Sequence, residues 1–465
     1  MASKRRAPTR RQFTLSLGAT LLLAACTSDD EISGGTAGAG GEGGAGGSGG
    51  TTSNVEPSTP WQPSGGEDTA AFATGVQVGD ATAASAIVSV HTTETVSLRV
   101  AIGKDDAWEE IATLDDLTPD NGVVQVEVTD LEPDTGYSVV FYADADRRSV
   151  VARFRSALGQ DASRIIRFGA SSCLGGNQPW ATLSHAADER LDFFLMLGDT
   201  IYGDSPPNTY DYETKWTTAL GVQGLRDLAA TTSFVATWDD HEVDNNWSYD
   251  TPGIQAKVDA GLTAFRRGMP QRLGPGGTQI WRKLSWGKVV DLFVLDCRGE
   301  RKDGNYISPE QLAWLKDGLS TSTAQFKLVL NSVPITDFTG TLVGDIQKED
   351  RWQGYPTQRS EIVSHIDDES IGGVLWLAGD FHIGGAGKIS PPDAPGANAI
   401  EILCGPAGSP INPAAGLINP DERLLLVSKT WTYTLFEVDP DAASIRTVFI
   451  DDSGAILHEM TFTEL

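Results

Sequence analysis

Leu191-Asp-Phe-Phe-Leu-Met-Leu-Gly-Asp-Thr-Ile-Tyr202 is the stretch on which the reading of this chain turns. Its first part, Leu191 to Leu197, is a short apolar run of the length of a strand buried on both faces. Gly198 ends the run, and a carboxylate (Asp199) and a phenol (Tyr202) follow at once. The same punctuation recurs along the chain. Ile165-Ile-Arg-Phe-Gly169 leads to Ser172-Cys173, Thr232-Ser-Phe-Val-Ala-Thr-Trp238 leads to Asp239-Asp-His-Glu242, and Gly373-Val-Leu-Trp-Leu377 leads to Gly379-Asp-Phe-His382. In an open α/β sheet, residues just past the carboxyl ends of strands converge on one crevice. These clusters therefore predict one site assembled by the fold. Thiol, carboxylate, phenol and imidazole are the side chains of a metal centre, so the expectation is a metal-dependent hydrolase.

Strands and helices alternate from residue 161 to the C-terminus. Trp180 to Glu189 reads as a helix, and Val289 to Leu295 and Phe326 to Leu330 read as further strands. Ser308-Pro-Glu-Gln311 opens another helix, with Ser308 as N-cap, Pro309 at the first helical position and Gln311 closing a capping box. The class expected for residues 161–465 is α/β, with a mixed sheet or two sheets packed in layers. Residues 69–160 differ: Ala86–Val90, Val96–Val100, Val123–Val128 and Tyr137–Tyr142 are strand-like runs spaced by turn residues. Within them, Leu131-Glu-Pro-Asp-Thr-Gly-Tyr137 resembles the tyrosine-corner segment of fibronectin type III domains, where a Tyr hydroxyl bonds back to the upstream backbone. A small β-sandwich is expected there, ahead of the chemistry.

The N-terminus reads as an export signal over residues 1–26. Basic Lys4, Arg5 and Arg6 precede Arg10-Arg-Gln-Phe13, which resembles a twin-arginine motif with Thr14 where that motif usually has Leu. The apolar run Leu15–Ala25 is too short to span a bilayer and ends in Leu23-Ala-Ala-Cys26, which looks like a lipobox. The implied product is lipidated on Cys26, exported through the twin-arginine route and anchored at a bacterial cell envelope, on the periplasmic or outer face. Residues 27–68 form a linker whose Gly34–Gly50 stretch is almost all small residues, with nothing to pack. With 35 basic against 63 acidic residues the net charge is −28, which repels nucleic-acid backbones and requires local cations before a phosphate ester can approach. Stable nucleic-acid binding is therefore not expected, and a monomer is. With Cys26 lipidated, Cys173, Cys297 and Cys404 remain; an odd number excludes a full disulfide framework and points to a free thiol or a ligand.

The residue types can be taken further. Asp199 and Tyr202 can give two oxygen ligands to one ion, and tyrosinate suits hard, oxidised iron; Cys173 could add a thiolate, or could be a small buried hydrophobe. Asp239 and Asp240 are adjacent carboxylates whose burial is costly unless a cation compensates. A metal held by Asp240, with His241 facing substrate, resolves that cost better than an acidic helix start does. Asp380 and His382 alternate along a short extended segment, so both are expected on one side. Arg298 is either a bidentate clamp on phosphate or an ion pair with the acidic cluster. Asn331 is an amide ligand or a supporting group. His91, His185, His365 and His458 lack ligand-like neighbours.

Taken together, Phe168-Gly-Ala-Ser-Ser-Cys173, Gly198-Asp-Thr-Ile-Tyr202, Trp238-Asp-Asp-His-Glu-Val-Asp-Asn-Asn-Trp247, Leu295-Asp-Cys-Arg298, Glu310-Gln-Leu-Ala-Trp-Leu315, Trp352-Gln-Gly-Tyr-Pro356 and Gly379-Asp-Phe-His382 resemble the successive blocks of the alkaline phosphatase D (PhoD-type) family. That family belongs to the calcineurin-like metallophosphoesterases. The resemblance runs from about Phe72 to the C-terminus, with the blocks in the family's order. It implies a two-sheet αββα sandwich preceded by a small fibronectin III-like β-sandwich. It also implies a centre of one ferric iron and one or two calcium ions that hydrolyses phosphate mono- and diesters. Carried over, Cys173, Asp199 and Tyr202 hold iron, Asp199 bridges to calcium, and Asp240, Asp380 and Asn331 surround it. His382 joins the ligands of one of the two ions, while His241 and Arg298 match the phosphate-side residues. Thr200, Gly203, Cys297 and Gln353 depart from residues frequent in the family, which bears on substrate choice.

The mechanism so implied uses hydroxide generated at neutral pH by a metal that lowers the pKa of water toward about 7, within a metal pair about 3.5–4 Å apart. Two alternatives stand beside it: a phospholipase D-like phosphodiesterase of the same fold, and a cell-surface binding lipoprotein with a degenerate catalytic domain. Asp199→Ala is predicted to abolish both metal binding and phosphodiester hydrolysis, measured by elemental analysis and aryl-ester turnover. Full activity in that variant would overturn the metal-centre reading.

Overall fold

Phe168 stacks on Phe193 with ring centroids 5.0 Å apart and on Phe436 at 4.6 Å, and all three rings are fully buried. They are direct cross-strand partners on Ile166–Ser171, Phe193–Leu197 and Thr432–Asp439. Apolar residues one position out of two on these strands thus make a continuous inner face. The computed structural model describes residues 61–105, 110–204, 209–338, 347–416, 424–463 and 465. The expected export signal with Cys26, and the linker up to residue 60, lie outside the described residues; the rest of the expected linker, residues 61–68, is instead part of the folded unit, with Trp61 buried and Gly66–Glu67 paired with Arg147–Arg148.

The first large sheet has nine strands, in the order Ile456–Phe462, Ser444–Asp451, Thr432–Asp439, Ile166–Ser171, Phe193–Leu197, Phe234–Thr237, Val76–Gly79, Ala86–His91 and Val123–Val128. From Ile166–Ser171 to Val76–Gly79 the pairing is parallel. The second has seven strands, in the order Arg282–Trp286, Val290–Val294, Phe326–Asn331, Val374–Ala378, Ile400–Leu403, Gly385–Lys388 and Leu424–Val427. Its run from Val290–Val294 to Ile400–Leu403 is also parallel.

Alternation along each strand then sorts the layers. Phe168, Phe193, Leu195 and Leu197 from the first sheet share one buried cluster with Leu292, Leu328, Leu330, Leu375 and Leu377 from the second. Phe194 and Met196, pointing the other way, pack with Leu183, Trp216, Leu225 and Phe265 on helices Ala181–Ala187, Thr209–Leu220, Gln223–Ala229 and Gln255–Gly268. Phe293, Val329 and Trp376 pack with Leu315 and Ile362 on helices Pro309–Thr321 and Pro356–Asp368. Helices therefore cover the outer face of each sheet, giving the layered α/β arrangement that the alternating pattern predicts. Among the described residues no helix is long and apolar enough to cross a membrane.

Local signals are mostly kept. Ser308 Oγ accepts from Gln311 N at 3.1 Å, as an N-cap does. The capping box is not closed by Gln311, however: Ser308 N donates to Glu300 Oε2, and the Gln311 side chain bonds Asp296 instead. A neighbouring carboxylate outcompetes a neutral amide for that N–H.

The N-terminal strands make a third sheet of six, in which Gly136–Tyr142 lies between Leu98–Lys104 and Ala152–Arg155. Tyr137 Oη accepts from Glu132 N at 2.7 Å, the upstream backbone bond that the Leu131–Tyr137 segment suggested. This sheet packs through Val100, Ile102, Val139 and Phe141 onto Val76, Val78, Val88 and Val90. Those last strands are the end of the nine-stranded sheet, because Gly79 pairs in parallel with Phe234. A Cβ on Gly79 would lie 1.8 Å from Pro270 O, so only glycine lets the two backbones meet there.

One buried ion pair locks this seam. Arg282 donates to Asp80 through Nε at 2.6 Å and Nη2 at 2.7 Å, and its guanidinium also donates to Ala236 O. The arginine belongs to the seven-stranded sheet and Ala236 to the nine-stranded one. Removing one partner strands the other charge in a dry interior, which typically costs about 3–5 kcal/mol. Asp80→Ala and Arg282→Ala are each expected to lower unfolding free energy by that order in urea titrations. The double variant should lose clearly less than the sum; strict additivity would contradict the coupling.

Candidate metal centre

Because the central strands of both sheets run parallel, their carboxyl ends deliver the clusters at adjoining edges. Cys173 follows Ile166–Ser171, Asp199 follows Phe193–Leu197, and Asp239 to Glu242 follow Phe234–Thr237. From the other sheet come Arg298 after Val290–Val294, Asn331 at the end of Phe326–Asn331, and Asp380 and His382 after Val374–Ala378. The chain leaves these strands by sharp left-handed turns. Gly198 has φ +95°, and a Cβ there would lie 2.6 Å from Asp239 Cβ. Cys173, Asp199, Asp380 and His382 also have positive φ, at 55°, 55°, 59° and 52°. An L-residue in that region costs about 1–2 kcal/mol, and such strain gathers at functional sites.

This corrects the expectation of an extended Asp380–His382 segment. Phe381 N donates to Gly379 O at 2.6 Å, so the chain turns tightly, and the two side chains go to different places. Potential ligand atoms lie within 4.8 Å of one another in three groups: Cys173, Asp199 and His382; Asp199, Asp240 and His241; and Asp239, Asp240 and Asp380. Asp199 links the first group to the second, and Asp240 links the second to the third.

In the first group Cys173 Sγ lies 3.4 Å from Asp199 Oδ2. Tyr202 Oη is 3.2 Å from His382 Nε2 and 2.5 Å from Ser409 Oγ. His382 Nδ1 is 2.9 Å from Pro410 O; a carbonyl only accepts, so Nδ1 carries the proton and Nε2 presents its lone pair. In the second group His241 Nδ1 is 2.5 Å from Asp204 Oδ1 and its ring lies 4.1 Å from that of Tyr202. Asp240 accepts from His241 N at 3.0 Å and Asn246 N at 2.5 Å. Glu242 fastens two of the loops together, accepting from Asp199 N, Thr200 N and Asp239 N.

Arg298 is fully buried. Its Nε and Nη2 donate to Asp239 at 2.7 and 3.0 Å, and Nη1 and Nη2 to Asp350 at 2.5 and 3.0 Å. It also sits 3.8 Å from Asp240 and from Asp380. Of the two readings open in the sequence, these donors are engaged in the ion pair. Asn331 Oδ1 accepts from Cys297 Sγ at 2.9 Å and Trp352 Nε1 at 3.0 Å, while its Nδ2 is buried with no hydrogen-bond partner. Since the indole can only donate, the amide oxygen is turned toward Trp352, and Asn331 braces the site. Cys173, Cys297 and Cys404 are all free and buried.

The electrostatics show what the cluster lacks. Burial pushes the carboxyls of Asp199 and Asp380, the Cys173 thiol and the Tyr202 phenol well above their usual ranges. Burial acts on Asp240 too, but the charges of His241 and Arg298 outweigh it and hold that carboxyl low. Burial raises Asp239 to about 6 against the pull of Arg298, and Glu242 to about 7. Asp199 Oδ1 is buried with no hydrogen-bond partner. An orphaned carboxylate oxygen, among clustered buried acids, is where a cation resolves the cost of burial. The thiol, phenol, imidazole and carboxylate donors fit metal ions.

Some of the framework was not singled out in the sequence. Asp204 lies two residues past Tyr202, Ser409 and Pro410 sit in a Gly- and Pro-rich segment, and Asp350 lies two residues before Trp352. Nothing in their spacing announces a partner; only Asp350, beside the Trp352–Pro356 block, carried a signal.

Layered sheets with helices outside and three carboxylate-linked ligand groups at the strand ends define a metallophosphoesterase-like architecture. A family model, PhoD-like phosphatase, matches residues 168–423, and the chain belongs to that family. It is 26% identical over 323 residues to alkaline phosphatase D of Bacillus subtilis (strain 168), a match covering 56% of this chain and 55% of that protein. The chain thus spans about half the length of the curated relative it matches. A solved structure of PhoD superposes with a TM-score of 0.74 at 22% identity, covering 84% of this chain and 89% of the other. Purple acid phosphatase PPD1 from yellow lupin gives a TM-score of 0.59 at 12% identity, covering 83% and 73%. At those identities the two structures speak to the fold.

Asp296 offers a pH test of this framework. It is buried, and its Oδ1 accepts from Trp238 Nε1 at 2.7 Å, Gly299 N at 2.6 Å and Arg298 N at 3.2 Å. Burial raises its pKa from 3.8 to about 6. As pH climbs through that window the unfolded chain gives up the proton first, so stability is full below about pH 4 and falls toward pH 6, by up to about 3 kcal/mol. Asp296→Asn keeps the Oδ1 acceptor and removes the titration. Denaturant unfolding between pH 4 and 7 should show a shallower decline in the variant than in the wild type; identical slopes would contradict the assignment.

Proposed function

We propose that this chain is a metal-dependent phosphatase and phosphodiesterase that hydrolyses phosphate mono- and diesters. The observation that carries the reading is the sharing of Asp199 and Asp240 among three ligand groups, in a chain of the PhoD-like phosphatase family. Cys173, Asp199, Tyr202 and His382 would hold ferric iron. Asp199, Asp240 and Asp380 would hold calcium, one or two ions, with Asn331 steadying that side. Bound ions at such a site supply Lewis-acid stabilisation of the phosphoryl oxygens and a water acidified toward a pKa of about 7.

The chain's own groups do the rest. His241, oriented by Asp204, meets the phosphoryl or leaving-group oxygen and offsets charge developing there. Arg298 places a fixed positive charge 3.8 Å from Asp240 and helps hold that carboxylate as an anion, while Asp380, raised by burial, is the one a bound cation would ionise. The strained strand-end turns hold these groups in place before substrate arrives. No side chain is required as a nucleophile. The proposal extends to the chain's context: a folded unit exported by the twin-arginine route, lipid-anchored through Cys26 and tethered by residues 27–60. It acts as a monomer, with a fibronectin III-like domain over residues 69–160 ahead of the catalytic domain over 161–465.

Purified protein should contain iron and calcium and should hydrolyse an aryl phosphate monoester and an aryl phosphodiester in preference to a phospholipid. His241→Ala should lower kcat by about 10²- to 10⁴-fold with metal content intact. Protein that binds neither metal and cleaves none of the esters after incubation with both would overturn the proposal in favour of a binding role.

A further inference from the structure

Ser409 is fully buried, on the segment that follows strand Ile400–Leu403. Its main chain is held at both ends: Ser409 N donates to Cys173 O at 2.9 Å, and Trp431 Nε1 donates to Ser409 O at 2.8 Å. Gly175 passes so close that a Cβ there would lie 2.2 Å from Ser409 Oγ. The hydroxyl is thus packed into one place, 2.5 Å from Tyr202 Oη. Ser409 therefore touches the backbone of one expected ligand, Cys173, and the side chain of another, Tyr202. The next residue supplies the carbonyl that orients a third, His382.

The direction of these bonds follows from chemistry. Pro410 O accepts, so His382 Nδ1 donates and Nε2 is an acceptor facing Tyr202. The phenol proton consequently points at Nε2, and Tyr202 Oη is left to accept from Ser409 Oγ. Replacing that phenol proton by a cation leaves the phenolate oxygen and Nε2 both aimed at it, with the serine still able only to donate.

We infer that Ser409 is a positioning residue that donates a hydrogen bond to the Tyr202 phenolate and sets how strongly that oxygen donates electrons to the metal. The inference rests on the reading that Tyr202 binds ferric iron as tyrosinate. A hydrogen bond withdraws electron density from the phenolate, which raises the energy of phenolate-to-iron charge transfer. Hydrogen bonds to ligands are a general lever on a metal's electronic properties.

The test is the visible and resonance Raman spectrum of the full chain loaded with ferric iron, with Tyr202→Phe identifying the tyrosinate contribution. Ser409→Ala should retain iron and move the Tyr202-dependent band to longer wavelength. Ser409→Cys, with a weaker donor of similar size, should move it part of the way. In D2O the phenolate C–O mode should shift in the wild type and not in Ser409→Ala. A Tyr202-dependent band that stays at the wild-type position in both variants overturns the role of Ser409 and leaves iron–tyrosinate standing. No Tyr202-dependent band in the iron-loaded wild type overturns both. If Ser409→Ala loses iron, the band position in Ser409→Cys decides alone.

Discussion

The structure depends on one buried guanidinium and the surplus of acid around it. Arg298 reaches from the seven-stranded sheet to Asp239 of the nine-stranded sheet and to Asp350 beyond, and no part of it meets solvent. A buried ion pair of this kind is expensive to break and weak as a source of net stability. Its value here is geometric: it fixes the distance between two sheets at their carboxyl edges. It also holds Asp240 and Asp380 within 3.8 Å of one guanidinium, while Asp199 shares a ligand group with Asp240. The fold therefore carries an electrostatic debt at this edge that bound cations would settle.

The backbone around that debt is organised for it. Cys173, Asp199, Asp380 and His382 each occupy the left-handed region, which no L-residue prefers. Several such residues together persist only if their surroundings over-determine them. Glu242 does much of this work, binding three main-chain N–H groups from two different loops. Pro410, Asp204 and Ser409 then each fix one aromatic or imidazole ring. The side chains that face the expected ions are thus held by a second set that faces away from them.

The readable part of this organisation was the part written in short apolar runs. Leu191–Leu197 and its counterparts gave strands, their ends gave the clusters, and the clusters did meet. Three things were not readable, for physical reasons. A strand run does not say which sheet it joins, so Val76–Gly79 extending the nine-stranded sheet was invisible. Sequence alternation presumes an extended chain, and the Gly379–His382 turn breaks that presumption. Partners brought by long loops, such as Ser409 to Tyr202 or Asp350 to Arg298, leave no local periodicity at all. Arg298 was legible as important and ambiguous as to why, because a guanidinium suits a phosphate and a carboxylate equally.

The order of strands in the large sheet has a consequence in time. Ile166–Ser171, which leads to Cys173, is completed on one side by Thr432–Asp439, and the two strands beyond that one, Ser444–Asp451 and Ile456–Phe462, come later still in the chain. A ribosome making this chain releases Cys173, Asp199 and Tyr202 long before His382 and Ser409 exist. Pairing of segments so far apart is slow and comes late. The proposed ligand set is consequently complete only once the chain past Ser409 has been made and has folded back. For the proposed metal centre, the compartment in which the finished chain first folds is then the one that sets which ions are on offer.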